Sequence, residues 1–184
     1  MDIGLQSATA LVELLRRREI GARELLDHYL ARIERLNAPL NAVVTLDVER
    51  ARRQADAADA ALSRGASLGA LHGLPVTIKD TFETIGLRTT AGHPPLSAHI
   101  PATDAVAVAR LRGAGAIPFA KTNVPVLAGD IQTYNPIFGA TNNPWDTTRT
   151  CGGSSGGLRG RQRCLPALHG GSKNKAGDGD SKNA

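Results

Sequence analysis

A short apolar segment, GLPVTIK at residues 73–79, gives the first evidence of the fold. Its Gly-Leu-Pro start is typical of a turn, and the Val-Thr-Ile run that follows is typical of a buried strand. A second segment of the same kind, AIPFAK, occupies residues 116–121. Between them, residues 104–112 have the pattern of a helix that Asp104 caps and Gly113 ends. Strand, helix and strand in this order predict an α/β fold with crossover helices.

The residues before this unit predict a layer of amphipathic helices. Ser7 is expected to cap the first helix, Gly21 to open the second, and Asp47 to cap a third that is rich in alanine. A short strand is expected at residues 41–46, between the second and third helices. After the second strand of the α/β unit, Thr122 is expected to start another helix.

The composition favours one domain in a reducing compartment. The chain has 184 residues and is 41% hydrophobic, which is enough to form a core. Its two cysteines, Cys151 and Cys164, cannot make a disulfide framework. The N-terminal residues lack the pattern of a signal peptide, and no run approaches the roughly 18 apolar residues of a membrane span. We therefore expect a cytoplasmic protein that does not contact a membrane.

The positive charge is concentrated at one end of the chain. The whole sequence carries 22 Lys and Arg against 17 Asp and Glu. Residues 1–157 hold 16 basic and 15 acidic side chains, whereas residues 158–184 hold 6 and 2. The body is near neutral and has no basic face with interleaved aromatic residues. We therefore expect no nucleic-acid partner.

An unusual glycine–serine motif, CGGSSGG, occupies residues 151–157. This composition also occurs in flexible linkers, but the turn-rich NNPWD segment before it suggests fixed structure. A phosphate-binding loop would need a Gly-Lys-Ser/Thr ending, which is missing. A nucleophile elbow centred on Ser155 would need an acidic residue and then a histidine downstream. The only downstream histidine, His169, instead precedes the only downstream acidic residues.

Lysine is rare in the body of the chain and points to a fourth interpretation of the motif. Residues 1–157 hold 14 arginines and only two lysines, Lys79 and Lys121. Arginine stays protonated in proteins, whereas a buried lysine can lose its proton and act as a base. Lys79 ends an apolar strand, so its burial is expected. A neutral Lys79 could deprotonate one serine of the motif while a second serine relays the proton.

Four blocks of the sequence together resemble the amidase signature family. They are GLPVTIKD (73–80), AKTN (120–123), GATNNPWD (139–146) and GGSSGG (152–157), in the order and with the spacing of that family. The resemblance implies the N-terminal part of an α/β/α domain with a mixed sheet, preceded by helices. It also implies cleavage or transfer of a small-molecule amide by a Ser–cis-Ser–Lys triad, with no metal or organic cofactor.

The resemblance also implies roles for individual residues. Lys79 corresponds to the general base, and Ser154 corresponds to the bridging serine that relays the proton. The neighbouring residues are expected to shape the loop: Gly152, Gly153, Ser155, Gly156 and Gly157. Structural roles are expected for Asp80, Lys121 and Trp145, with Lys121 pairing with a carboxylate.

No nucleophile can be identified in this chain. The family carries its nucleophilic serine in a later Gly-Gly-Ser segment, and Gly170-Gly171-Ser172 comes too early to match it. We therefore expect residues 1–157 to form a partial amidase-signature domain and residues 158–184 to form an aberrant, disordered basic tail. A slip of the reading frame near Gly157, or a truncation, would explain that tail, and the encoding DNA tests the slip. The expected result is an amidase-like chain without activity. The alternatives are a non-catalytic product and an A-type subunit of a glutamyl-tRNA amidotransferase.

Overall fold

The computed structural model describes residues 3–66 and 69–160. Residues 158–184 were expected to form a disordered tail, and all of them after residue 160 lie outside the described ranges. Five α-helices and five strands make up the described part, together with three short 3₁₀ turns. The helices are α1 (Ala8–Arg16), α2 (Ala22–Leu36), α3 (Val48–Ser63), α4 (Val106–Gly113) and α5 (Gly156–Gly160). The strands are β1 (Val43–Leu46), β2 (Pro75–Lys79), β3 (Ile117–Thr122), β4 (Tyr134–Asn135) and β5 (Gly139–Ala140).

The main sheet is mixed and has the strand order β1-β3-β2. Strands β2 and β3 are parallel, with Lys79 opposite Thr122, and α4 makes the crossover between them. Strand β1 lies antiparallel on the other side of β3. A separate pair, β4 and β5, forms a short hairpin. The predicted α/β class with a mixed sheet, preceded by helices, is confirmed.

Capping interactions fix the starts of the first three helices. Ser7 accepts a hydrogen bond from the backbone N–H of Ala10 (3.2 Å), and Asp47 accepts one from Arg50 (3.1 Å). Both caps were predicted. Helix α2 begins after Gly21, which offers no capping side chain. The carboxylate of Asp59 in α3 caps it instead, with 2.7 and 3.0 Å contacts to the first two N–H groups of α2. This cap joins the two helices.

Two local predictions are wrong. Asp104 does not cap α4, which begins at Val106 without a side-chain cap. The Asp104 carboxylate accepts from the Ile85 N–H (2.7 Å) and pairs with Arg112 in the last turn of α4 (2.8 Å), so a loop N–H and a side chain of the helix engage its two oxygens. Thr122 does not start a helix, because it ends β3. Pro125 follows three residues later, and a proline disfavours helical geometry at the residue before it, here Val124. A helix beginning at Thr122 would therefore be interrupted in its first turn.

The core lies between the helical layer and the sheet. Helix α2 contributes Leu25, Leu26 and Tyr29, each at most 1% exposed, and β3 contributes Phe119. Helix α2 packs on α3, and α3 packs on β3. Within the described ranges, no helix is both long enough and apolar enough to cross a bilayer. This packing holds β2 and β3 so that their carboxyl ends meet at one edge of the sheet, where parallel α/β sheets commonly carry their sites.

Candidate active site

Lys79 lies at the carboxyl end of β2 and reaches the glycine–serine motif. Its Nζ donates a hydrogen bond to Oγ of Ser154 over 2.8 Å. The side chain is only partly exposed, and desolvation by this burial lowers the pKa of Lys79 below its usual value. The two residues are 75 positions apart in the sequence, so the fold itself creates the contact. The structure thus brings together the two residues expected to act as base and relay.

Ser154 occupies a sharply bent loop. The peptide bond between Gly153 and Ser154 is cis, and Gly152 before it has a positive φ of 80°. Helix α5 follows at once, and the carbonyl of Ser155 accepts from the N–H groups of Leu158 (3.0 Å) and Arg159 (3.2 Å). Ser155 therefore starts the helix through its backbone. The histidine that a nucleophile elbow at Ser155 would need lies outside the described residues.

The glycines of the loop are needed because backbone approaches them closely. A Cβ at Gly153 would lie 2.5 Å from the carbonyl oxygen of Asp130. A Cβ at Gly157 would lie 2.5 Å from the carbonyl oxygen of Asn123 and 2.9 Å from that of Ala42. Real side chains essentially never make such contacts with backbone, so only glycine fits. Close packing requires glycine at Gly153 and Gly157, while the loop-shaping role expected of the whole motif stays a prediction.

Thr133 anchors the loop and was not found by sequence reasoning. Its hydroxyl donates to the carbonyl of Gly152 (2.9 Å) and accepts from the N–H of Gly156 (3.0 Å). One buried side chain therefore bridges the two ends of the Gly-Gly-Ser-Ser turn. These contacts span 19 and 23 residues, and no local pattern around Thr133 signals them. Only the three-dimensional arrangement reveals the anchor.

A buried asparagine ties the loop to the end of β3. The carbonyl of Asn123 accepts from the N–H of Gly157 (3.2 Å). Its side-chain amide donates to Thr141 (3.0 Å), and its side-chain oxygen accepts from Asn135 (2.7 Å). The AKTN, GATNNPWD and glycine–serine blocks, which are separate in the sequence, thus meet in one hydrogen-bond network.

Lys121 and Asp80 are fully buried beside the site. The Lys121 ammonium donates to the carbonyl of Phe82 and to two threonine hydroxyls, while Asp80 acts on it through its charge. Desolvation lowers the pKa of Lys121 to about 8, although the nearby carboxylates oppose this. Desolvation also raises the pKa of Asp80, whose carboxylate accepts from Thr90. The direct partners of Lys121 are neutral oxygens, in place of the carboxylate pairing that we expected.

Trp145 lies on the surface beside the loop. The residue is 78% exposed, and its backbone N–H donates to the side-chain oxygen of Asn143 in a turn (2.9 Å). Among the described residues, no group of three His, Cys, Asp or Glu side chains is placed to hold a metal ion. The expectation that the protein needs no metal or cofactor stays a prediction.

The Lys79–Ser154 pair can transfer a proton. With Lys79 protonated, its N–H donates to the serine oxygen, and after loss of that proton the amine can accept the serine hydroxyl's hydrogen. A lysine whose pKa is lowered by burial is neutral more often near pH 7, which suits a general base. The arrangement needs a third group to attack a substrate, and no such group is assigned within residues 3–66 and 69–160.

Comparison with known proteins connects this geometry to a family. The family model named Amidase matches residues 24–158, which is more than half of the chain. The A-type subunit of the glutamyl-tRNA(Gln) amidotransferase from Burkholderia cenocepacia (strain HI2424) is 47% identical over 152 residues, covering 83% of this chain and 30% of that protein. The corresponding protein of Prochlorococcus marinus (strain MIT 9303) is 45% identical over 139 residues, covering 76% and 29%.

Solved structures show the same relationship. A bacterial aryl acylamidase of the amidase signature family superposes with a TM-score of 0.81 at 30% identity, covering 86% of this chain and 33% of that one. Peptide amidase from Stenotrophomonas maltophilia has a TM-score of 0.78 at 31% identity, covering 83% and 33%. The chain spans about a third or less of the length of these relatives. From the matched family model and these structural neighbours, the chain belongs to the amidase signature family.

Proposed function

We propose that the described part of this chain supplies the base and the relay of an amide-cleaving site. Lys79 is the base, and Ser154 passes the proton between Lys79 and a nucleophilic hydroxyl. The observation that carries this proposal is the 2.8 Å contact between Nζ of Lys79 and Oγ of Ser154 at the end of β2. A small-molecule amide is the substrate class, by family membership.

The surroundings of the pair suit this task. Partial burial lowers the pKa of Lys79, which favours the neutral amine. Thr133 and Asn123 fix both ends of the serine loop, so Ser154 is held against the lysine at little further entropic cost. Proton transfer through the two residues needs only a small movement of hydrogen atoms along existing contacts.

We further propose that the 184-residue chain does not turn over amides by itself. Base and relay raise the reactivity of a nucleophile, but they do not replace one. Residues 158–184 hold no Gly-Gly-Ser segment at the distance that the family resemblance requires. When the nucleophile of a triad is missing, essentially all covalent catalysis is lost. The division of the chain after Gly157, between a partial domain and a tail, is part of the same proposal.

An amide-hydrolysis assay tests the proposal of inactivity. Purified chain is incubated with short aliphatic and aryl amides, and released ammonia or amine is measured against Lys79→Ala and Ser154→Ala variants. The expected result is the same background rate for all three proteins. A rate that falls on replacing Lys79 would show that a nucleophile is present and would overturn the proposal. A rate above that of the buffer alone which neither replacement lowers would come from a contaminating hydrolase and would leave the proposal of inactivity standing.

A second candidate is the lineage of A-type subunits of glutamyl-tRNA(Gln) amidotransferases. The identities of 45% and 47% to proteins of that name favour it, and it would bring partner subunits. The backbone NMR chemical shifts of Ser154 and Ser155 separate the two candidates. Chemical-shift changes on adding glutamine, but not on adding asparagine as the matched control, favour the amidotransferase lineage. Shifts on adding short acyl amides, but not glutamine, favour a stand-alone amidase.

A further inference from the structure

Lys121 is a fully buried cation that the proposed proton transfer does not use. An ammonium group has three N–H donors, and the structure gives each of them an acceptor. The acceptors are the carbonyl of Phe82 (2.5 Å), the hydroxyl of Thr84 (3.1 Å) and the hydroxyl of Thr89 (2.9 Å). All three belong to one segment, residues 82–89, which begins shortly after Lys79. Lys121 therefore holds together the loop that leaves the end of β2.

A continuous path of hydrogen bonds joins Lys121 to Lys79. The N–H of Phe82 donates to the carbonyl of Lys79 (3.1 Å), while the carbonyl of Phe82 accepts from Lys121. Asp80, which directly follows Lys79, is also fixed, since its N–H donates to the carbonyl of Thr122 (3.1 Å). The Asp80 carboxylate in turn accepts from the Thr90 hydroxyl (2.6 Å). The turn after Lys79 is thus held from both of its ends.

A lysine is an expensive way to fill this space. Removing an ammonium from water is unfavourable, and apolar residues of similar size often stabilise a core as well or better. The gain from lysine is three directed hydrogen bonds at the end of a long side chain. Such bonds set the position of a loop more sharply than apolar packing does. The direction of these bonds points to the turn that carries Lys79.

We propose that Lys121 is a positioning residue that keeps Lys79 within reach of Ser154. It does not touch the reacting atoms. It acts through Phe82, whose peptide groups connect the Lys121 ammonium to the Lys79 backbone. This inference rests on the proposed function of Lys79 as the base, and it assigns to Lys121 a role in the geometry of that base.

Competitive acylation of the folded chain tests the proposal. Trace acetic anhydride modifies amines only in the neutral form, and mass spectrometry of peptides gives the rate for Lys79 at each pH. The pH profile yields two separate quantities, the pKa of Lys79 and the limiting rate of its neutral amine. The limiting rate reports how freely the amine leaves Ser154. Because the rate of a neutral amine also rises with its pKa, limiting rates are compared after correction for the measured pKa, and Thr89→Val provides a comparison in which no charge is changed.

Four variants isolate the role of Lys121. Lys121→Met removes the ammonium at similar volume, and Thr89→Val removes one of its acceptors while keeping the charge. Thr89→Ser retains that acceptor and serves as the conservative match. Val12→Ala, in the buried face of α1, lowers stability at a distance from the site. Circular dichroism confirms that each variant is folded before labelling.

The expected result is a several-fold higher limiting rate at Lys79 in Lys121→Met and Thr89→Val, with a pKa nearer its ordinary value. Thr89→Ser and Val12→Ala are expected to match the wild type. If Lys121→Met does not fold, the comparison of Thr89→Val with Thr89→Ser decides. Equal limiting rates in those two variants would overturn the positioning role. An equal increase in Val12→Ala would also overturn it, because loss of stability would then be sufficient.

The two proposals fail in different ways in this experiment. An ordinary pKa for Lys79 in the wild-type chain would contradict its function as the base. That outcome leaves the comparison of limiting rates intact, so the role of Lys121 is still decided by the variants. A lowered pKa of Lys79 in the wild type, together with unchanged limiting rates in the variants, would be consistent with Lys79 as the base. It would contradict the positioning role of Lys121.

Discussion

Replacing Thr133 with valine removes the anchor of the serine loop while keeping the shape of the side chain. Thr133 is fully buried, and its hydroxyl bonds to both ends of the turn that carries Ser154. In Thr133→Val the N–H of Gly156 loses its acceptor, and the carbonyl of Gly152 loses the stronger of its two donors and keeps only the Cys151 thiol (3.3 Å). The variant therefore leaves the buried N–H of Gly156 without its Thr133 acceptor and weakens the hydrogen bonding of the Gly152 carbonyl.

The size of the effect follows from these two contacts. A buried polar group left without a partner costs about 1–3 kcal/mol. Gly156 is buried and should incur a cost in the upper part of that range, whereas the carbonyl of partly exposed Gly152 can recover water. We therefore expect a total loss of about 2–4 kcal/mol in the free energy of unfolding, or of opening the loop. Thr133→Ser keeps the hydroxyl and should lose far less.

Two measurements cover the two ways in which the chain can respond. Urea unfolding followed by circular dichroism reports a loss of global stability, which should appear as a lower midpoint with an unchanged slope of the unfolding free energy against urea concentration. Amide hydrogen exchange at Gly156 reports local opening of the loop, which should increase by at least about tenfold. If Thr133→Val matches Thr133→Ser in both measurements, the hydroxyl does not hold the loop and the reasoning is wrong.

Two further predictions concern the same region. Gly157→Ala should destabilise the chain by about 1–3 kcal/mol, because its Cβ would be forced against the carbonyls of Asn123 and Ala42. Gly113→Ala in α4 meets nothing within 4 Å and should be neutral or slightly stabilising, so urea unfolding of both variants tests whether close backbone approach is the cause. Burial lowers the pKa of Lys121 to about 8, from an ordinary 10.5. Between pH 8 and 10.5, Lys121 is protonated in the unfolded chain but largely neutral in the folded one. The free energy of unfolding of the wild type should therefore rise with pH over this range, relative to that of Lys121→Met. A constant difference between the two proteins from pH 8 upward would show that Lys121 titrates normally.

Local sequence signals predicted much of the fold. Ser7 and Asp47 were recognised as caps, since the capping contact lies within three residues of each. The strands around Lys79 and Lys121 were recognised from short apolar runs. The errors at Asp104 and Thr122 arose where a distant partner or the end of a strand outweighed the local preference.

The candidate site could be predicted only in part. Residue types suggested a lysine base, and the family resemblance supplied its pairing with Ser154. Thr133 was missed because its two partners are distant in sequence and neither is a side chain. The contacts of Lys121 with Phe82 and Thr89 were missed because both partners are more than 30 residues away in the sequence. Backbone carbonyls and threonine hydroxyls carry no distinctive signature in a sequence, so the support of a site is harder to predict than its reacting groups.

The pKa of Lys79 in the folded chain decides most directly whether this residue is a base. Lysine-selective ¹⁵N labelling gives one side-chain signal for each lysine, and Lys79→Met assigns the signal in question. We expect this amine to have a pKa clearly below that of the same lysine in the urea-unfolded chain, because burial beside Ser154 disfavours the ammonium. Titration at the same pH in the folded and unfolded chains would contradict the claim that Lys79 is a base.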